Sequence, residues 1–492
     1  MVLDKLLQLL QYNSQEPLIF SSGFFLIMFL LFTFVYMLLS RKLTARLLFV
    51  TLFSYYFYYK SSGIYFFLLA IVTVSDYYIA KAIHSNLNNK GKARLFMMLS
   101  LMIDLGMLAY FKYTNFFVGM LAQAFHHNFQ PYDIFLPVGI SFFTFQSLSY
   151  TIDVYRGKLK PLPELLDYAF FVSFFPQLVA GPIVRACDFV PQIRRPINIT
   201  KEMFAKGVWF IATGLSKKAV VSDYISVNFV DRVFDNPSLF SGGETLLALY
   251  GYGVQIYCDF SGYSDMAIGI ALLLGFHFPL NFNAPFKADS MTDFWRRWHI
   301  SLSSWIRDYV YISFGGNRKG AIRTYINQIA AMTLCGLWHG ANLNFVIWGG
   351  VHGLLVCIHK FFSHRVMHHD RHYHPCGWRR VISVFLTFQL LSLTWLFFRN
   401  QDLSLTQVMV ENMLFRFSPE LLPGVIVAYR YVFMLIALAL MFHFMPQSWN
   451  LRAIRFIERI GVVGSALLLV TIIYVVIQIK TSSVQPFIYF QF

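Results

Sequence analysis

Long stretches of this chain, Leu18 to Leu39, Ile64 to Ala80, Leu95 to Phe111, Val381 to Phe398, Val425 to Met445 and Gly461 to Ile479, are predominantly apolar. Each approaches or exceeds the roughly 20 residues that an α-helix needs to cross a bilayer. Composition agrees, because 57% of the 492 residues are hydrophobic and only 13% are charged, far from the usage of soluble domains. The expected fold class is an all-α polytopic membrane protein. Counting weaker segments, about 11 to 13 membrane helices are expected, with re-entrant and in-plane helices beside them.

The first 17 residues show no cleavable signal, since Asp4 and Glu16 interrupt a short stretch in which Leu3, Leu6, Leu7 and Leu10 recur at helical spacing. They read as an amphipathic in-plane helix or as a lead-in to the first span. The formal net charge of +16 lies largely in short loops, where it sets membrane orientation. Arg41, Lys42 and Arg46; Lys81, Lys90, Lys92 and Arg94; Arg156, Lys158 and Lys160; Arg365 to Arg380; and Arg452, Arg455 and Arg459 are read as cytoplasmic. Alternation then leaves both termini outside. Membrane lipid is an expected partner and nucleic acid is not. Cys187, Cys258, Cys335, Cys357 and Cys376 are scattered and imply no disulfide framework. Residues 1–17 form the N-terminal segment, 18–360 one helical core, 361–380 a basic His-rich cytoplasmic loop, and 381–492 the C-terminal membrane helices with an external tail.

Two tryptophan-framed histidine segments lie within this hydrocarbon. From Trp295 to Phe314 the pattern fits one helix, with Trp295, Trp298, Leu302, Trp305 and Tyr309 on one side. Arg296, His299, Ser303 and Arg307 form a polar stripe, with Arg297, Ser301, Ser304 and Asp308 beside it. Such a helix either lies at the interface with snorkelling arginines or lines a wet funnel where arginines attract a phosphorylated donor and His299 orients a reacting group. The second segment holds Trp338 and His339, and no Asp, Glu, Lys or Arg occurs between Arg323 and Lys360. His339 is either a structural histidine bonded to a carbonyl or a base for a hydroxyl that attacks a thioester. Gly336, Gly340, Gly349, Gly350 and Gly353 leave room for close packing, Asn342 and Asn344 add polar lining, and His352 is a less favoured candidate.

Upstream, Gln255, Asp259 and Asp265 lie between apolar runs with Gly262 among them, which implies a broken helix. The carboxylates either pair with arginines or take part directly. Phe174 to Arg185 is short and interrupted by Pro176, Gly181 and Pro182, as in a re-entrant segment walled by protein. The loop His364 to Cys376 invites a metal reading, but its own cations oppose one, and contact with anionic lipid explains it more simply. No metal or bound cofactor is expected. Dinucleotide fingerprint, P-loop and nucleophile elbow are absent.

Taken in order, Phe174 to Arg185, Gln255 to Asp265, Asn281 to Pro285, Asp293 to His299, Tyr309 to Gly316 and Leu337 to Gly340 resemble the membrane-bound O-acyltransferase (MBOAT) family, in its bacterial alginate O-acetyltransferase branch. The resemblance implies a catalytic core within 18–360 and a central tunnel joining cytoplasmic and external funnels. It implies His339 as the catalytic histidine, His299 as its partner, and donor-binding or tunnel-lining roles for Arg296, Arg297, Ser303, Arg307, Asp308, Trp338, Asn342, Gln255, Asp259 and Asp265. The donor would be a cytoplasmic thioester, acetyl-CoA or an acylated carrier protein, and an external SGNH-type esterase-fold protein would complete transfer to an exported polysaccharide. The membrane would be a bacterial inner membrane. The C-terminal Pro486 to Phe492 resembles the aromatic ending of that branch, so Tyr489 is either an interfacial anchor or a transient acyl acceptor. Competing expectations are D-alanyl transfer to a cell-envelope polymer, O-acetylation of peptidoglycan, and a transporter, whose inverted repeats are not found.

Overall fold

The computed structural model describes residues 9–13, 17–368, 370, 373–479 and 487–488, with the side chains of 364 and 365 excepted. Among them every regular element is helical. Five helices are long and apolar enough to cross a membrane, or six if one bent pair is a single span. That is fewer than the sequence count of about 11 to 13. One reason is visible in the helix Ile140–Tyr155, which is buried along nearly its whole length yet carries Ser141, Thr144, Gln146, Ser147, Ser149, Thr151 and Asp153. Burial inside protein lets a helix do without continuous apolar character.

The chain forms two compact units, Met1–Ile211 with Met266–Pro279, and Ala212–Asp265 with Leu280–Phe492. In the first, local chemistry punctuates the helices. Ser22 Oγ accepts from the Phe25 N–H and starts the helix Gly23–Leu38. Gly63, at φ 60 and ψ −137, separates Leu43–Ser62 from Phe66–Ser85, a backbone state that suits a residue without Cβ. Phe32, Phe53, Phe57 and Phe175 stack into one aromatic core. One buried polar cluster is joined by hydrogen bonds: Asp76 accepts from Ser100 Oγ at 2.8 Å and from Ser147 Oγ, and Ser147 meets the Tyr168 hydroxyl at 2.7 Å. Arg46, assigned to a cytoplasmic loop from sequence, is buried at 2% exposure and points at the carbonyls of Ile193 and Arg195. Of the N-terminal segment, residues 1–8 and 14–16 lie outside the described set; Leu9 and Leu10 are held by Lys60 Nζ and the Tyr56 hydroxyl.

In the second unit, three expectations are corrected. The helix Gly242–Leu273 runs unbroken through Gly262. A Cβ on Gly262 would stand 2.8 Å from the Gly214 carbonyl, so this glycine serves close packing and not a break. The expected single helix from Trp295 to Phe314 is two: Met291–Arg297 ends before Trp298, and Ile300–Trp305 begins after His299. Thirdly, the apolar run Val425 to Met445 bends by 87° where Pro419–Ala428 meets Arg430–Phe444. A further turn occurs at Gly461, φ 66, inside Gln447–Ile479.

Candidate functional site

The helix Gly320–His339 stops at His339 because Gly340 takes an extended conformation, φ −164 and ψ 152. The next helix, Leu343–Phe361, starts at once, with Asn342 Oδ1 accepting from the Asn344 N–H at 2.9 Å, the usual way to satisfy an N-terminal donor. The two helices touch backbone to backbone. A Cβ on Gly336 would lie 2.1 Å from the Phe345 carbonyl oxygen, and one on Gly349 would lie 2.3 Å from that of Met332. His339 is thereby fixed at the end of a helix that cannot slide. Its ring is 2% exposed and is faced by Trp338 at 5.0 Å, Phe398 at 5.2 Å and Trp348 at 5.3 Å.

His299 reaches the same neighbourhood by a different route. Its backbone is left-handed, φ 42 and ψ 55, which a non-glycine residue adopts at a cost of about 1–2 kcal/mol. Asn281 holds it there. The Asn281 carbonyl accepts from the Ile300 N–H at 2.9 Å, and its side-chain oxygen faces His299 Nδ1 at 3.1 Å, Ser301 Oγ at 2.9 Å and the Ser301 N–H at 3.3 Å. A backbone N–H can only donate, so the atom it meets is the amide oxygen. The amide nitrogen then donates to Ser264 Oγ at 3.1 Å. His299 Nδ1 must therefore carry a hydrogen, and Nε2 presents its lone pair. His299 is fully buried, lies edge-on to Phe260 at 4.6 Å and faces Trp338 at 6.0 Å. Both imidazoles thus have the Trp338 indole as a neighbour.

His352 has both ring nitrogens occupied. Trp295 Nε1 donates to Nδ1 at 3.3 Å, and Nε2 meets Thr394 Oγ1 at 2.9 Å, whose own hydrogen goes to the Leu391 carbonyl. This ring braces Trp348, 4.5 Å away, and through it the wall around His339.

The other sequence candidates spread apart. The continuous polar stripe does not exist, because the break at Trp298–His299 rotates one helix against the other. Arg296 and Arg307 are exposed; Arg307 bonds its neighbour Asp308 at 2.6 Å, and Arg297 bonds Asp293 at 2.7 Å. Ser303 Oγ donates to the Trp298 carbonyl at 3.2 Å. Asn342 is spent as a cap, with its Nδ2 donating to the Gln401 carbonyl. Gln255 Nε2 donates to Ser226 Oγ at 2.9 Å. The carboxylates pair with lysines and not arginines: Asp265 with Lys217 at 2.7 Å, and Asp259 with Lys218 at 2.5 Å. Tyr489 lies outside the described residues. Sequence reasoning gave no role to Asn281, Lys217, Lys218 or His443, whose Nε2 accepts from the Phe286 N–H at 3.1 Å. Asn281 carried the one available signal, an amide opening the motif that precedes the first histidine segment.

A metal was tested against the donors present. Among the described residues, Asp289, Asp293 and His374 bring ligand atoms within 4.8 Å of one another. Asp293 already binds the Arg297 guanidinium, and Asp289 binds His374 Nδ1 at 2.7 Å, so the group is closed by its own ion pairs. The histidines instead offer proton-transfer chemistry: two buried imidazoles among Trp and Phe rings, one of them fixed through Nδ1 to Asn281.

Comparison with known proteins gives this geometry its context. The MBOAT, membrane-bound O-acyltransferase family, matches residues 64–397. A probable alginate O-acetylase of Pseudomonas putida is 35% identical over 501 residues, covering 96% of this chain and 100% of its own length. The corresponding protein of Pseudomonas aeruginosa is 40% identical over 403 residues, covering 80% of this chain and 75% of its own. A peptidoglycan O-acetyltransferase of Helicobacter pylori is 36% identical over 366 residues, covering 69% and 68%. With the match spanning both histidine segments, the chain belongs to the membrane-bound O-acyltransferase family and is a multi-pass membrane O-acetyltransferase.

Proposed function

We propose that this protein takes an acetyl group from cytoplasmic acetyl-CoA and delivers it, through a tunnel across a bacterial inner membrane, for O-acetylation of an exported polysaccharide. The observation that carries this reading is the pair His299 and His339, both buried and both beside the Trp338 ring. In the mechanism His339 removes the proton from the acceptor hydroxyl as its oxygen attacks the thioester carbonyl, and collapse of the tetrahedral intermediate breaks the C–S bond, CoA leaving as a thiolate that takes the proton back from His339. His299, with its Nδ1–H committed to Asn281, presents the Nε2 lone pair and positions the attacking group by accepting a hydrogen bond from its hydroxyl there. Backbone or side-chain amides stabilise the oxyanion, and no metal or bound cofactor takes part. Helices too short or too polar to count as isolated spans complete the membrane bundle, both termini lie outside, and an external SGNH-type esterase-fold protein finishes the transfer. An acylated carrier protein is the alternative donor.

An alginate-like acceptor is favoured by the alginate O-acetylase relatives that align over most of this chain, and peptidoglycan is the second reading because of the Helicobacter relative. The test is sidedness. Proteoliposomes loaded with radiolabelled acetyl-CoA, given the esterase-fold partner and polysaccharide outside, should label the external polymer; label that never leaves the lumen overturns the proposal. Tyr489 as acyl carrier is tested separately, since Tyr489→Phe should abolish labelling of the C-terminal peptide during turnover and sharply slow polymer acetylation. Parental rates in that variant would remove the relay.

A further inference from the structure

Asp259 is fully engaged by two groups of different kinds. Its Oδ1 takes the Lys218 ammonium at 2.5 Å, and Lys218 also reaches Asp223 at 2.8 Å. Its Oδ2 accepts from the backbone N–H of Ile488 at 2.9 Å. The side chains of both Lys218 and Asp259 are 3% exposed. A structural ion pair inside a membrane protein needs no help from a chain terminus some 229 positions away. Here the second carboxylate oxygen is aimed at that terminus, and without it a buried acceptor would lose its donor, which is disfavoured.

The contact extends beyond one hydrogen bond. Phe487 is fully buried, and its ring lies 4.8 Å from Tyr263 and 5.7 Å from Phe260. Tyr263 and Phe260 follow Asp259 along the same helix. Phe260 is also the residue whose edge meets the His299 ring at 4.6 Å. One helical turn therefore presents an anionic acceptor for a tail amide, an aromatic seat for a tail phenyl ring, and a wall of the candidate site.

We propose that the Lys218–Asp259 pair is a dock for the C-terminal segment, and that Asp259 is a positioning residue which seats Phe487 and Ile488 against the Phe260 wall during acyl transfer. Lys218 occupies one oxygen of Asp259 and leaves the other as a fixed acceptor, which the backbone N–H of Ile488 fills. Specificity for this segment comes from the neighbouring ring seat. The proposal rests on the acyltransfer reading for its role in turnover, while the docking itself stands without it.

Two measurements on the full-length protein test it. The first follows N-ethylmaleimide modification of Ile488→Cys, read by mass spectrometry of the C-terminal peptide. Combining it with Lys218→Met and Asp259→Leu, which exchanges the ion pair for apolar groups of similar size, should accelerate modification about tenfold or more. The second uses Ile488→Pro, which deletes the tail donor and leaves the buried pair whole. It should lower the turnover rate about tenfold with the KM for acetyl-CoA unchanged. Unaltered cysteine reactivity overturns the dock. Faster reactivity with parental turnover in Ile488→Pro overturns the positioning role. Absence of acetyl transfer in the parent protein would instead strike the reading on which that role rests, and the reactivity measurement would still decide the dock.

Discussion

His339→Ala should reduce acetyl transfer by about 10²- to 10⁴-fold, the range in which a general acid–base group contributes, while the protein still inserts and folds. The ring sits 2% exposed among Trp338, Trp348 and Phe398, so truncation also leaves a cavity. His339→Gln, closer in volume and still polar, separates the two effects: a packing defect would be relieved by it and a lost base would not. Activity is measured with radiolabelled acetyl-CoA, and integrity by thermal unfolding in detergent. Substantial activity in either variant would refute His339 as the base.

The second large effect belongs to a residue with no chemistry. Gly336→Ala should destabilise the protein by about 3 kcal/mol or more, at or beyond the upper end of ordinary overpacking. The added carbon would have to occupy a point 2.1 Å from the Phe345 carbonyl oxygen and 3.0 Å from the Gly349 backbone, and backbone cannot turn aside as a side chain can. The helix pair must separate, carrying His339 and Trp348 with it. Gly350→Ala is the control, since the nearest atom is Thr333 Oγ1 at an ordinary 3.7 Å. A large fall in unfolding temperature and in transfer is expected for the first variant and neither for the second. Equal melting curves would dispose of the close-packing account.

The membrane class was legible because hydrophobic burial in lipid is a local property, written residue by residue. Direction is not written that way. The run Val425 to Met445 reads as one span by hydropathy, yet the chain turns by 87° within it. Periodicity failed from Trp295 to Phe314 for a related reason, because apolar residues spaced by three and four continue across the break and nothing in a histidine signals a left-handed backbone. Gly262 shows the two meanings of glycine, a helix breaker and a site of close approach, which only the Gly214 carbonyl opposite it distinguishes. Lys217 and Lys218 lie more than forty residues from the carboxylates they neutralise, 48 in the case of Lys217 and Asp265, so no local pattern joined them. Sequence pointed to both histidines as candidates, but that each has Trp338 as a neighbour, and that Asn281 orients His299, is tertiary.

The clamp on His299 ties two properties to a single side chain. Asn281 both steadies the left-handed backbone and selects the ring nitrogen that carries hydrogen. Conformational cost and electronic state at position 299 are therefore not separately adjustable. A glycine there would relax the backbone and surrender the ring, whereas a β-branched residue would resist the turn altogether. A single substitution at position 281 therefore reaches the backbone and the ring of residue 299 together.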